Sequence, residues 1–277
     1  MLKTKTILIT LFSVNLALSI TSCSSDEDSL DNITTSTESL LISESSNAQS
    51  SSISPFDFEN DFDGDDFQVD NDGNGAHNWD ADEYEDDPID NGFDVRDYIW
   101  VSNNILHLQC PNDNDGEKRR AEFRDQINID LNDGHSMDFN FDVRDYDNES
   151  ELILAQMHND NSQARRPYIT VVAEEGEVRL QRTNAPTGSQ TTTASETIPY
   201  RVNNEYRIRI DTNPGTRETF VRIINEDTNE RARTTFEFAD AWDDLNGDFY
   251  WKFGAYMPDG GSTDTRMRLS RIAINQE

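Results

Sequence analysis

The chain has 277 residues and carries 55 acidic against 23 basic side chains, a formal net charge of −32 at pH 7. A protein of that charge repels a phosphate backbone, which excludes nucleic acid as a partner. The 2 cysteines and 4 histidines are widely spaced, so a clustered cysteine/histidine metal site is excluded as well.

The N-terminus opens Met1-Leu2-Lys3-Thr4-Lys5, continues with an apolar stretch from Ile7 to Ile20, and reaches Thr21-Ser22-Cys23. A basic start, a short apolar core and small residues before a cysteine resemble a bacterial lipoprotein signal. Residues 1–22 are therefore expected to be a signal peptide and Cys23 the lipidated N-terminus. The stretch falls short of the ~20 apolar residues of a permanent span, so the lipid is the only expected membrane attachment. Acylation of Cys23 leaves Cys110 without a disulfide partner. Cys110 follows Ile105-Leu106-His107-Leu108-Gln109 and reads as a small buried hydrophobe, not a nucleophile.

Residues 23–54 are rich in Ser, Thr, Asn and acids, the composition of a disordered tether. Such a chain has a root-mean-square span of roughly 30 Å. The run Asp26-Glu27-Asp28 resembles the export signal of surface lipoproteins. It gives an expected location at the outer membrane, exposed on the cell surface, with a periplasm-facing orientation or a merely solvating linker as the alternatives.

Residues 55–277 form one domain of a size that suits a single large β-sandwich. Acid clusters at Asp61–Asp66, Asp70–Gly75 and Asn112–Gly116 suggest calcium loops, but none completes the twelve-residue calcium-loop pattern. They read as acidic turns, with a structural Ca²⁺ as the alternative. No sustained 3.6-residue periodicity occurs. Alternating runs do, at residues 136–143, 168–172, 177–181, 205–210, 218–224 and 265–274, separated by turn residues such as Glu175-Gly176 and Asn213-Pro214-Gly215. Many short antiparallel strands predict an all-β sandwich or jelly roll.

Three further segments carry chemistry. By the period-2 rule, Arg120, Glu122 and Arg124 share one face against Ala121 and Phe123. Gln156 and His158 share a face against Ile153, Ala155 and Met157. Tyr250, Lys252, Gly254 and Tyr256 share a face against Trp251, Phe253, Ala255 and Met257. In one sheet, these would bring guanidinium, amide, imidazole, ammonium and phenol groups together. Charged strand faces are ordinarily solvated, and that reading accounts for the Arg/Glu segment taken alone. The other two segments fit it less well. His77, His107 and His135 lie outside these segments and read as surface or structural.

Arg120-Ala121-Glu122-Phe123-Arg124, Gln156-Met157-His158 and Tyr250-Trp251-Lys252-Phe253-Gly254-Ala255-Tyr256-Met257-Pro258 together resemble the alginate lyases of polysaccharide lyase family 7. That family's signatures, R-[ST]-E-[LV]-R, Q-[IV]-H and Y-F-K-A-G-x-Y-x-Q, occur in this order on a jelly-roll β-sandwich with a concave substrate groove. Ala121, Phe123, Met157 and Pro258 depart from the pattern. The middle residue of Q-x-H is associated with uronate preference, so Met157 leaves that preference open. The resemblance implies cleavage of a uronate polymer by β-elimination with no required cofactor, by a protein expected to be a monomer.

A polyanionic substrate must overcome the charge of −32. Residues 23–100 hold 23 acids and one base, whereas residues 101–277 hold 32 acids and 20 bases, so most of the excess lies outside the motif-bearing region. The alternate-position pairs Arg207/Arg209 and Arg266/Arg268, with Arg120/Arg124, are expected to make a locally basic groove that screening isolates from distant acids.

Elimination from a 4-linked uronate removes the proton at C5 and expels O4, so the neighbouring carboxylate must first be neutralised. Arg124 and Gln156 fit that role. By resemblance Tyr256 is the acid that protonates O4, and it also serves as base where C5–H and O4 lie on the same side. His158 is the base where they lie on opposite sides. Lys252 is expected to hold a carboxylate and lower the phenol pKa, and Gly254 to let a sugar approach the backbone. Arg120 and Glu122 are expected to orient Arg124 or to bind a flanking sugar, and Tyr250 completes the expected substrate contacts. The alternatives are a lyase for glucuronan or a similar polymer, and a non-catalytic glycan-binding lipoprotein on the same fold.

Overall fold

The computed structural model describes residues 53–60, 66–70, 76–90, 92–111, 117–125, 129–131, 133–187, 192–261 and 263–276. The expected signal peptide, Cys23 and nearly all of the tether lie outside the described residues, as do most of the three acidic clusters.

Seventeen strands occur among the described residues: β1 (Asp66–Asp70), β2 (His77–Trp79), β3 (Ile89–Asp90), β4 (Phe93–Asp94), β5 (Ile99–Ser102), β6 (Ile105–Cys110), β7 (Arg119–Arg124), β8 (His135–Arg144), β9 (Leu152–Asn159), β10 (Ile169–Glu174), β11 (Glu177–Thr183), β12 (Thr192–Pro199), β13 (Tyr206–Asn213), β14 (Glu218–Asn225), β15 (Arg231–Phe236), β16 (Phe249–Met257) and β17 (Thr265–Gln276). An eight-stranded sheet runs β12-β11-β10-β9-β16-β7-β1-β2, and a seven-stranded sheet runs β15-β14-β13-β8-β17-β6-β5. A small hairpin of β3 and β4 stands apart from both. Glu175 and Gly176 both have positive φ, 50° and 78°, the two-residue turn whose twist matches a hairpin, and they join β10 to β11.

The sheets pack face to face through alternate residues. Phe123, Trp251, Phe253 and Met157 of the eight-stranded sheet and Phe139, Phe141, Ile208 and Ile210 of the other are fully buried. The Phe253 ring lies 5.2 Å from Phe123 beside it and 5.5 Å from Phe139 across the sandwich. Each such side chain stabilises the fold by about 1.5–3 kcal/mol relative to its exposed form. Cys110 is fully buried in this core, and burial pushes its thiol pKa up. The one α-helix among the described residues, Ala81–Asp86, is held by a capping box between Asp80 and Glu83.

Two expectations are corrected here. Strict alternation puts Ile153 with Ala155 and Met157, yet on β9 Ala155 pairs with Val171 while Ile153 pairs with the adjacent Val172. Leu154 is the extra residue of a β-bulge, so Leu154 and Ala155 both enter the core and Ile153 turns to the outer face. The second concerns Arg207, Arg209, Arg266 and Arg268, which belong to β13 and β17 of the seven-stranded sheet and do not line the motif-bearing face. Arg207 pairs with Asp138, Arg209 with Asp211, and Arg268 with Asp142.

Candidate active site

Strands β9, β16 and β7 are consecutive in the eight-stranded sheet, which sets the three motif segments side by side. Tyr250 stands opposite His158, and Lys252 stands opposite both Gln156 and Arg124. Gly254 is opposite Glu122, and Tyr256 is opposite Arg120 on one side and Ile153 on the other. β1 extends the face with Gln68 opposite Glu122 and Asp70 opposite Arg120.

Glu122 is the hub of the site. It is 1% exposed, and its carboxylate accepts a hydrogen bond from Gln156 Nε2 at 2.5 Å. Lys252 Nζ lies 3.5 Å and Arg120 Nη1 3.6 Å from the other carboxylate oxygen. Lys252 also donates to Gln68 and is buried beneath the face. Burial lowers its pKa to about 8, Glu122 opposing and Arg120 and Arg124 adding to the shift. A lysine so enclosed is a structural cation of the site. Its neighbour Gly254 has φ +146°, and a Cβ there would sit 2.4 Å from the Ala121 carbonyl oxygen. The glycine therefore serves the close approach of β16 to β7.

The two arginines differ in commitment. Arg120 is shared between Glu122 and Asp70, and its guanidinium carbon lies 4.4 Å above the Tyr256 ring. Arg124 lies 4.4 Å above the Tyr250 ring and makes no ion pair among the described residues; its Nε is buried without a hydrogen-bond partner there. Arg124 thus keeps its donors for an incoming carboxylate.

His158 stacks on Tyr250 with ring centroids 5.6 Å apart. Its Nδ1 is 2.8 Å from the Asn159 carbonyl oxygen, which can only accept, so Nδ1 carries the proton and Nε2 offers a lone pair. Burial lowers the His158 pKa to about 4, the Asn159 hydrogen bond opposing and Lys252 adding to the shift. The ring is a neutral base at physiological pH. Burial likewise raises the Tyr256 phenol above its ordinary value, against the opposing pull of Arg120, so the phenol keeps its proton. The cation that acts on Tyr256 is Arg120, where the sequence pointed to Lys252. His158 of β9 stands level with Tyr250 and Tyr256 lies six residues further along β16, and the charges of Arg120 and Glu122 act on both groups.

A cavity of about 330 Å³ adjoins Tyr256, lined also by Glu151, Ile153, Arg165, Arg166, Thr170 and Gln181. Sequence reasoning missed Arg165 and Arg166. The available signal was two adjacent arginines before Pro167, soon after His158, in a chain poor in bases. Burial, with Glu174 and Asp259, raises the Glu151 carboxyl pKa, against Arg166 and Arg179. Among the described residues no group of three His, Cys, Asp or Glu side chains is placed to hold a metal ion.

No curated protein matches this chain. Among solved structures it is similar to alginate lyase A1-II', a member of polysaccharide lyase family 7, with TM-score 0.61, 14% identity, and coverage of 80% of this chain and 98% of that one. It is also similar to an alginate lyase from Klebsiella pneumoniae, with TM-score 0.58 and 12% identity over 81% and 99% of the two chains. An alginate lyase from Pseudomonas aeruginosa gives TM-score 0.55 and 14% identity over 76% and 98%. These likenesses show the jelly-roll sandwich, and the sequence itself matches the alginate lyase family over residues 66–276. This chain therefore belongs to the alginate lyase family and is a polysaccharide lyase built on a jelly-roll β-sandwich.

Proposed function

We propose that this protein cleaves alginate by β-elimination with Arg124, Gln156, His158 and Tyr256 as its reacting groups. The observation that carries the reading is His158, held neutral with Nε2 as acceptor on the sheet face that also presents a protonated Tyr256. Arg124, with free donors, binds the uronate carboxylate and stabilises the charge that develops when C5 loses its proton. Gln156 keeps one amide N–H beyond the bond to Glu122 and assists there. His158 Nε2 takes the proton where C5–H and O4 lie on opposite sides, and Tyr256 protonates O4. Where both lie on the same side, Tyr256 serves in both steps.

The solved relatives support the substrate class. A form of A1-II' with a His→Asn and a Tyr→Phe replacement was crystallised with its substrate GGMG, and the Tyr→Phe form with its product GGG. The purified protein would be incubated separately with polyguluronate, polymannuronate and glucuronan while the ultraviolet absorbance of unsaturated uronate ends is followed. A rise with either alginate block is expected and identifies the preferred uronate. A rise with glucuronan alone replaces the substrate, and binding without any rise refutes the enzymatic reading.

Lipidation at Cys23, with display of the domain at the outer membrane, belongs to the same proposal, since a polymer must be cut outside the cell. Incorporation of labelled fatty acid by the parent but not by Cys23→Ala tests it.

A further inference from the structure

The outer face of the seven-stranded sheet carries a feature that the catalytic reading leaves unused. Arg209 of β13, Arg222 of β14 and Arg233 of β15 stand directly opposite one another in register. Like charges placed across neighbouring strands destabilise a sheet. Acids answer only one end of the row, where Arg209 Nε lies 2.8 Å from Asp211. Arg222 and Arg233 have no ion pair among the described residues, in a chain with 55 acids.

Beside the row is a cavity of about 340 Å³ lined by His135, Ser136, Arg209, Asp211, Pro214 and Phe220. Phe220 lies two residues from Arg222, opposite Asp211, and is a half-buried ring outside the core. His135 is 3% exposed, and its Nε2 has no hydrogen-bond partner among the described residues. The cavity thus combines an apolar ring and a proline, which suit the C–H face of a pyranose, with a bound guanidinium–carboxylate pair and an unpaired buried imidazole nitrogen.

We propose that this face is a second, non-catalytic binding site for an anionic polysaccharide, its chain lying across β13, β14 and β15. Successive strands are about 4.8 Å apart, a spacing comparable to the advance of one sugar along a 4-linked chain. Three guanidinium groups in a row can therefore meet the carboxylates of consecutive uronates, each as a planar fork. A single sugar chain is narrow enough to follow the row, whereas a nucleic-acid duplex or a lipid surface covers a wider area of a protein whose net charge is −32. The identity of the sugar as uronate rests on the proposed function, and the second site would hold polymer while the opposite face cuts it.

The test is affinity electrophoresis of the full chain in native gels containing polymannuronate, polyguluronate or duplex DNA, comparing the parent with Arg222→Ser/Arg233→Ser. Thermal unfolding of both proteins serves as the folding control. Loss of two exposed charge contacts should weaken retardation by polyuronate about five- to ten-fold, with turnover of a short oligosaccharide unchanged. Unchanged retardation of the double variant overturns the proposal, as does equal retardation of the parent by DNA. Arginine-dependent retardation by a protein that forms no unsaturated ends keeps this site and refutes the catalytic reading. Elimination with arginine-independent retardation does the reverse.

Discussion

Glu122→Gln separates the charge of the hub from its shape, and the structure sets the size of the effect. Removing one member of a buried ion pair ordinarily costs about 3–5 kcal/mol. Lys252 escapes part of that cost because it can lose its proton. Its pKa is already lowered from 10.5 to about 8, a penalty of roughly 3 kcal/mol on the charged form. Complete neutralisation at pH 7 costs about 5 kcal/mol on the same scale, so the lysine adds at most roughly 2 kcal/mol when Glu122 is neutral. Arg120 cannot lose its proton, but it retains Asp70 at 4.0 Å and the Tyr256 ring, and it adds about 1 kcal/mol. The expected loss at pH 7 is roughly 2–3 kcal/mol, or about 5–10 °C in Tm for a domain of this size.

The sign of the pH dependence follows from the same lysine. Above about pH 8 the folded parent already holds Lys252 neutral, while the unfolded chain stays protonated up to 10.5. The penalty is full below pH 8 and is relieved as pH rises toward 10.5, so the parent and the variant converge. Urea unfolding at pH 7 and pH 9.5 of the parent, Glu122→Gln, Lys252→Met and the double variant measures this. An equal loss at both pH values, or an undiminished effect of Glu122→Gln in the Lys252→Met background, refutes the coupling.

The remaining predictions concern single groups. With the folded His158 pKa at about 4 against an ordinary 6.5, the acid limb of kcat/KM should fall well below pH 6.5, and a limb centred there would show that the ring is not buried as described. The stability tied to this histidine is full above pH 6.5 and is lost as pH falls toward 4, so His158→Asn should flatten the stability profile in that window. Tyr256→Phe should lower kcat by at least about 10²-fold while oligosaccharide binding, followed by calorimetry, persists; near-normal turnover removes the phenol from the mechanism. Gly254→Ala forces a Cβ to within 2.4 Å of Ala121 O and 2.7 Å of Glu122 Cα at φ +146°. It should cost about 3 kcal/mol or more, seen as a lowered Tm or loss of soluble protein, and an unchanged Tm would contradict the close strand approach.

The sequence by itself determined which side chains share a strand face. Arg120, Glu122 and Arg124, and Tyr250, Lys252 and Tyr256, separate cleanly from Ala121, Phe123, Trp251 and Phe253, because alternation is a local property of extended backbone. It also marked the Glu175-Gly176 turn and the all-β class through local patterning. Only the tertiary structure decided what depends on a partner strand. The bulge at Leu154 exists because β9 must register with β10 and β16 together, and it moves Ile153 from the core side to the wall of the Tyr256 cavity. Glu122 became the hub only when β1 brought Gln68 beside it and β16 brought Lys252. Arg207, Arg209, Arg266 and Arg268 show the same limit: their spacing places each pair on one face of its strand, but which of two sheets that strand joins is settled by hydrogen bonds between residues far apart in the chain. Period fixes a face, and pairing chooses the sheet.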